Sequence, residues 1–186
     1  YKRQVQRGPQ GTLRGRASPS GSITVTARKP DLYSYGGFVE KTANDIGTIN
    51  FKGAANVPVI EGIAAIRAAG VWDENEGDRV RPVNGNKDPF ARTKSGRLSA
   101  LLTPTDWLRF EGMYQRIDAT AHTYDQVASF SEANPNAAQS PLYISTKDRL
   151  SIQEDPRDIR QIFDVYNWRA EVSQWGQRLI YQGQQY

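Results

Sequence analysis

The side chains that could do chemistry in this sequence are charged residues inside stretches that alternate between apolar and polar positions. The sequence contains no cysteine, no nucleophile beside a base, no paired catalytic carboxylates and no calcium-binding EF-hand spacing. We therefore predict that the protein is not an enzyme and has no resident metal or cofactor. Ionised groups in mid-strand indicate a hydrated wall or a surface that contacts a polar partner. These residues are Lys52, Arg67, Arg97, Arg109, Glu111, Arg169 and Glu171.

A second group of charges lies in a glycine- and proline-rich stretch near the start of the chain. Residues 7–16 read RGPQGTLRGR, and an alternating β-branched run, ITVT, follows at 23–26. Glycine and proline at this density specify turns and close backbone approach, whereas the β-branched run is typical of a strand. Pro30 ends this strand because proline cannot donate a ladder hydrogen bond.

Seven later stretches alternate with a period of two and predict strands. In the clearest of them, Ile49, Phe51 and Val57 share one face with small residues, while Asn50 and Lys52 share the other. Its length, about ten residues, suits a tilted strand that crosses a bilayer. The seven stretches are 33–41, 48–57, 63–72, 91–103, 108–115, 166–173 and 179–183.

The connections between these stretches are alternately short and long. Polar segments near 73–90 and 119–162 predict long loops, and the second contains His122, the one histidine of the sequence. Outer-membrane barrels have short turns at one end and long loops at the other. The apolar faces carry alanine, glycine and aromatic residues rather than the bulky branched residues of a packed core. This composition favours a transmembrane barrel, with a soluble β-sandwich that binds a ligand through its loops as the alternative.

Charge is distributed unevenly along the 186 residues. The first thirty residues contain seven basic residues and no acidic one, and since the whole chain carries +4, the remainder carries −3. A basic arm can indicate nucleic-acid binding, but no nucleic-acid motif or aromatic interleaving accompanies it. We therefore predict no nucleic-acid partner.

The glycine-rich stretch supports a more specific interpretation. Residues 5–16, VQRGPQGTLRGR, resemble the end of the plug domain of TonB-dependent outer-membrane receptors, and residues 20–30, SGSITVTARKP, resemble the strand that closes that domain. Two departures stand out. Arg14 replaces an aromatic residue that is usual in the family, and only Gly21 remains of a usual glycine pair.

The resemblance implies a two-part architecture. Residues 1–30 would be the C-terminal part of the plug, and residues 31–186 would be the first strands of a barrel. Such receptors close about 22 antiparallel strands around the plug. The seven strands here would be a segment of that barrel, so we expect the chain to be a fragment of a larger receptor.

The resemblance also implies a function in the bacterial outer membrane. Receptors of this family take up scarce solutes, by default iron–siderophore complexes, with cobalamin, haem and oligosaccharides as other cargoes. The TonB–ExbB–ExbD complex supplies the energy, and the surroundings are outer-membrane lipid and lipopolysaccharide. The solute itself is a small molecule or metal chelate that nothing in the sequence selects.

Site residues follow from the same resemblance. Arg7 would lie at the contact between plug and barrel and pair with glutamates on the inner wall, on later strands of the receptor; the alternative is a surface arginine beside a turn. The mid-strand charges would face the lumen and line the plug contact or the solute path; the alternative for each is a hydrated wall position. The expected plug–barrel contact residues are Arg7, Gly8, Pro9, Arg14, Gly15 and Arg16, and the expected lumen-facing residues are Lys52, Arg67, Arg97, Arg109, Glu111, Arg169 and Glu171.

Overall fold

A computed structural model describes residues 2–7, 21–45, 47–128 and 144–186. Regular structure in these residues is β, apart from two single turns of 3-10 helix, Gly77–Arg79 and Thr146–Asp148. None of the described helices is long and apolar enough to cross a membrane. The strands are β1 Lys2–Arg7, β2 Gly21–Thr26, β3 Gly36–Ala43, β4 Ile49–Ile60, β5 Ala64–Asn75, β6 Arg81–Pro82, β7 Phe90–Thr105, β8 Leu108–Thr123, β9 Leu150–Ser151, β10 Arg157–Gln174 and β11 Gln177–Gln185.

Seven of these strands form one antiparallel sheet. Their order is β11–β10–β8–β7–β5–β4–β3, so strands that follow one another in this series along the chain are neighbours in the sheet. The sheet is not closed: within the described residues, β3 and β11 each pair on one side only. A separate antiparallel pair joins β1 to β2, and a short parallel pair joins β6 to β9. The prediction of a mostly β, antiparallel fold with about seven main strands is confirmed.

Several strands are longer than the sequence pattern predicted. β5 continues to Asn75, β8 continues to Thr123, and β10 already begins at Arg157. The ends of the predicted loops at 73–90 and 119–162 are therefore strand, and His122 lies in β8 rather than in a loop. The pattern missed these ends because polar residues occupy both faces there, so the alternation of hydrophobicity disappears although the pairing continues.

The two ends of the sheet have different connections. Tight connections at residues 61–63, 106–107 and 175–176 lie at one end, which we call the turn end. Gly62 and Gly176 adopt φ angles of +73° and +70° in these turns, a region that glycine enters without strain. The connections from β3 to β4, from β5 to β7 and from β8 to β10 begin and end at the opposite end, which we call the loop end.

The two long connections at the loop end pack against each other. The backbone N–H of Arg81 donates to the Arg149 carbonyl at 2.9 Å, and that of Val83 donates to the Ser151 carbonyl at 2.8 Å. Ser151 is fully buried, and the Tyr124 hydroxyl, also buried, donates to the Lys87 carbonyl at 3.1 Å. These contacts give the described part of the loops a small core of their own, which the polar sequence there did not predict.

The main sheet has two chemically different faces. Cross-strand partners share a face, so the pairing register sorts the side chains. We call the face that contains Lys52 and Arg97 the polar face and the opposite one the apolar face. No second layer covers the apolar face within the described residues. Its exposed large side chains include Val57, Ile66, Leu98, Leu102, Phe110, Trp168, Leu179 and Tyr181.

Trp168 on the apolar face provides a test of this register. It lies between two glycines, Gly112 on β8 and Gly183 on β11. A Cβ added at Gly183 would approach the indole ring, with Nε1 only 2.8 Å away, whereas one added at Gly112 would meet nothing within 4 Å. We therefore expect Gly183→Ala to lower the free energy of unfolding by about 1–3 kcal/mol, as overpacking does.

The matched control is Gly112→Ala, which changes the same residue type beside the same tryptophan. It should leave the urea midpoint close to that of the unsubstituted protein. Equal midpoints for the two variants would show that Trp168 does not lean over Gly183.

Candidate functional site

All seven mid-strand charges that the sequence singled out lie on the polar face. Pairing links them from strand to strand: Ala69 faces Arg97, Leu101 faces Glu111, and Glu111 in turn faces Arg169. Whether this face lines a lumen stays a prediction, but the register brings the charges to one surface. By position they are Lys52 on β4, Arg67 on β5, Arg97 on β7, Arg109 and Glu111 on β8, and Arg169 and Glu171 on β10.

Four of these charges form the centre of an ion-pair cluster near the turn end. Glu111 accepts from Arg109 Nε at 2.8 Å, and Glu171 accepts from Arg169 Nη2 at 2.8 Å. Across the strands, Glu171 faces Arg109 and Glu111 faces Arg169, so unlike charges alternate in both directions. The side chains of Glu111 and Glu171 are only 19% and 15% exposed, which favours strong pairing.

Two further cations complete this cluster. Lys29 Nζ lies 2.7 Å from Glu111 Oε1, and Arg178 on β11 forms an ion pair with Glu171. Four cations thus surround two carboxylates, and the buried Nε of Arg169 has no hydrogen-bond partner in the structure. The cluster therefore retains positive charge and one unsatisfied donor, so it can accept another anionic or carbonyl group.

The remaining charges of the polar face have weaker partners. Lys52 pairs with Glu40 at 2.7 Å between two half-exposed side chains, so the pair contributes little to stability. Arg97 donates to the Gln115 Oε1 atom through Nε and Nη2, at 3.0 and 2.7 Å. Arg67 lines a small polar cavity with Arg28 and Asp31.

The segment that leads from β2 to β3 is attached to the polar face. Asn56 of β4 is buried and holds it with three hydrogen bonds. Its Oδ1 accepts from the Asp31 N–H at 2.9 Å, and its Nδ2 donates to the carbonyls of Asp31 and Ser34 at 3.0 and 2.7 Å. Pro30 is buried at the start of this attachment. The connection therefore lies along the sheet wall from residue 29 onward.

The predicted plug–barrel contact residues are mostly outside the described part of the chain. Gly8, Pro9, Arg14, Gly15 and Arg16 are not among the described residues. Arg7 is the last residue of β1, where its backbone pairs with Gly21, and its side chain is not described. The role of these six residues stays a prediction.

Sequence reasoning missed three contributors to the site. Asn56 looked like one polar position among several in β4, and nothing in the pattern distinguishes an amide that binds a distant segment. Lys29 was counted only as a basic residue of the arm. Arg178 could have been found, because the two-residue turn at 175–176 places it opposite Ser173, on the same face as Glu171.

The described residues contain no metal-binding group of three or more histidine, cysteine or acidic side chains. The Nδ1 of His122 lies 2.6 Å from Asp158 Oδ1, and its ring packs on Phe90 with centroids 4.5 Å apart. These contacts account for the histidine as a structural residue at the loop end. The chemistry that the polar face supports is ion pairing and hydrogen bonding.

Comparison with known proteins gives a consistent picture. The chain is 24% identical over 130 residues to the pesticin receptors of Yersinia pestis and of Yersinia enterocolitica serotype O:8. The resemblance to TonB-dependent outer-membrane receptors is confirmed. The match covers 69% of this chain and 19% of each relative, so the chain spans about a fifth of their length. No family model and no solved structure matches the sequence. The similarity is to receptors rather than to enzymes.

The attachment of the connecting segment can be tested at Asn56. Asn56→Ala removes three part-buried hydrogen bonds, two to the backbone of Asp31 and one to the carbonyl of Ser34, so we expect a loss of about 1–3 kcal/mol in the free energy of unfolding. It should also speed protease cleavage within residues 27–35. Asn50→Ala on the same strand and face is the control, because Asn50 makes one hydrogen bond, to Asp73 at 2.8 Å. Cleavage that is no faster in Asn56→Ala than in Asn50→Ala would contradict the attachment.

The conformation of the same segment should depend on pH. The backbone N–H groups of Tyr33 and Ser34 donate to the Asp31 carboxylate at 2.9 and 3.2 Å, and this lowers the pKa of Asp31 below its usual value. Because this pKa is lower in the folded protein than in the unfolded chain, the ionised Asp31 carboxylate stabilises the segment. The stabilisation is complete above the pKa of the unfolded chain, about 3.9, and disappears as the pH falls through the pKa of the folded protein.

Hydrogen exchange of the Tyr33 and Ser34 amides, corrected for the intrinsic rate, should therefore quicken below about pH 4. Asp31→Asn keeps an acceptor oxygen but cannot titrate, so its exchange should lack this step. An acid step of the same size in both proteins would assign it to another group.

Proposed function

We propose that this chain is the wall-forming N-terminal barrel segment, with the end of the plug, of a TonB-dependent receptor in the bacterial outer membrane. Residues 1–30 would belong to the plug and residues 31–186 to the first seven barrel strands. The complete receptor would take up a scarce solute, with an iron–siderophore complex as the first candidate and cobalamin, haem or an oligosaccharide as others. The TonB–ExbB–ExbD complex would energise the transport.

The observation that carries this proposal is the uncovered apolar face of the sheet. A soluble sandwich would bury this face against a second sheet, yet Leu98 is 51% exposed and Leu179 is 72% exposed, and no second layer covers them in the described residues. Hydrocarbon is a medium in which such a face is stable, and hydrogen bonds between strands satisfy the backbone there. The pattern therefore favours the membrane over the sandwich.

The apolar face also has a boundary of the kind expected at a membrane surface. Two stacked aromatic pairs, Phe51–Trp72 and Tyr114–Tyr166, have centroids 5.7 and 4.9 Å apart. Towards the turn end the face is apolar, whereas towards the loop end it carries ions. Aromatic residues between an apolar band and a charged one are typical of outer-membrane barrels. Since outer-membrane barrels have their long loops on the outer side, we infer that the loop end would face outward, where a solute would first bind.

The polar face would then be the inner wall of the barrel. The ion pair of Lys29 with Glu111 and the three hydrogen bonds of Asn56 would hold the end of the connection on that wall. Arg7, Gly8, Pro9, Arg14, Gly15 and Arg16 would form the plug side of the contact. The excess cations of the cluster on β8, β10 and β11 would face the plug or the solute path.

Transport by the full-length protein tests this function. We expect the receptor to fractionate with the outer membrane and to support iron uptake from a ferric siderophore, and a proton uncoupler or loss of TonB should abolish the uptake. Recovery as a monodisperse soluble protein without detergent would contradict the membrane location. An outer-membrane protein that transports only another solute would leave the receptor class intact and replace the cargo.

Two adjacent alanines of β4 test the assignment of the faces. Ala55 lies on the apolar face opposite Ala68, and Ala54 lies on the polar face opposite Ala69. Near the midplane, Ala55→Arg should lower the free energy of unfolding in lipid by about 2–4 kcal/mol, because a guanidinium enters hydrocarbon. Ala54→Arg should change it far less, since the new side chain meets water. Urea unfolding in vesicles compares the two, and equal costs would show that the faces are misassigned.

A further inference from the structure

The apolar face has an open groove at its boundary with the charged band. Its floor is Gly96 of β7, where an added Cβ would meet nothing within 4 Å. Across the strand pairs, Gly96 lies between Gly70 and Arg116, and in the next row towards the loop end Lys94 lies between Trp72 and Asp118. The groove is thus lined by the indole of Trp72 and by the two cationic side chains of Lys94 and Arg116.

The cations of this groove are available to a ligand. Lys94 is exposed and forms no salt bridge with a described residue; Glu74, the carboxylate that feels its charge, is already bound by Arg92 at 2.9 and 3.0 Å. Arg116 is half-exposed; it forms a long ion pair, 3.5 Å, with Asp164 and also interacts with the Tyr114 hydroxyl. A third cation, Lys41, lies 5.3 Å above the ring of Phe51, beside Trp72.

The acidic side chains nearby do not cancel these charges. Two carboxylates, Asp118 and Asp164, adjoin the groove. The cations beside them are Lys41, Lys94, Arg116 and Arg160, so cations outnumber carboxylates two to one. The groove therefore combines net positive charge with an apolar wall. It opens on the face that would contact lipid, where a soluble anion has little access.

We propose that this groove binds the phosphate group of a membrane lipid in the outer leaflet. The phosphate would lie between Lys94 and Arg116, and the first part of an acyl chain would lie over Gly96 and Gly70 against Trp72. Guanidinium and ammonium groups bind phosphate oxygens through charge-assisted hydrogen bonds. A tryptophan at this depth has an apolar ring for the chain and a polar N–H for the headgroup region. The inference rests on the proposed membrane location but not on the transported solute.

Lipid binding to the purified full-length receptor tests the site. Native mass spectrometry with lipid A, which carries phosphate monoesters, should show bound lipid, and the same lipid after enzymatic dephosphorylation should bind more weakly. One basic residue near a membrane surface contributes about fivefold in affinity, so Lys94→Gln with Arg116→Gln should weaken binding roughly 25-fold. Lys94→Gln alone should weaken it about fivefold and, since no ion pair is lost, leave folding unchanged.

The matched control is Arg92→Gln, two residues from Lys94 on the same strand and face. Its guanidinium is already occupied by Glu74, so lipid affinity should change less than about twofold. Equal losses for Arg92→Gln and Lys94→Gln would overturn the site, because they would show a diffuse attraction to the whole charged band. Displacement of the lipid by millimolar inorganic phosphate would also overturn it, since the groove would then be a free-anion site.

Transport separates this inference from the proposed function. Normal energised uptake together with unchanged lipid binding in the double variant would remove the lipid site and leave the receptor intact. A wild-type protein that is soluble without detergent would instead remove the proposed membrane location. Retained folding of the variants is checked by their migration before and after heating, which distinguishes a closed barrel from an unfolded chain.

Discussion

The constraint on which this structure depends is that a single-layer sheet must satisfy each of its faces separately. Hydrogen bonds between seven strands satisfy the backbone in the interior of the sheet, but no second layer covers either face in the described residues. The apolar face requires a non-aqueous medium, and the polar face requires water or a charged partner. The alternation of apolar and polar residues therefore reflects two different environments, one at each face of the sheet, rather than a single buried core.

The polar face meets this requirement with ion pairs rather than with a hydrophobic core. The cluster around Glu111 and Glu171 has more cations than carboxylates. Burying the excess cations without additional acceptors would cost free energy. The excess becomes reasonable where another part of a larger protein supplies acceptors. Asn56 gives the polar face partners of a neutral kind. It forms hydrogen bonds with three backbone groups of the connecting segment, which would otherwise need water as their partner.

Sequence alone predicted the strands and their faces wherever one face was apolar, because the period of two is visible there. It failed at the loop end, where β5, β8 and β10 continue with polar residues on both faces, and the prediction that His122 lies in a loop was therefore wrong. Hydrogen bonds to neighbouring strands extend these strands, and such pairing cannot be predicted from the hydrophobicity of the residues. The contacts of Asn56, Lys29 and Ser151 were equally invisible, since each joins segments that are distant in sequence.

The place where the pattern failed is informative in itself. On β7 the apolar face changes character between Gly96 and Lys94, while the strand continues to Phe90 without a break in pairing. A strand that ended with its apolar band would leave the loops at the membrane surface. In the proposed membrane location, continued pairing beyond the band would instead raise them above it, and it would put charged side chains such as Lys94 and Arg116 at the level of the headgroups. The polar strand ends that hydrophobicity did not predict thus form the charged band and the groove at its border.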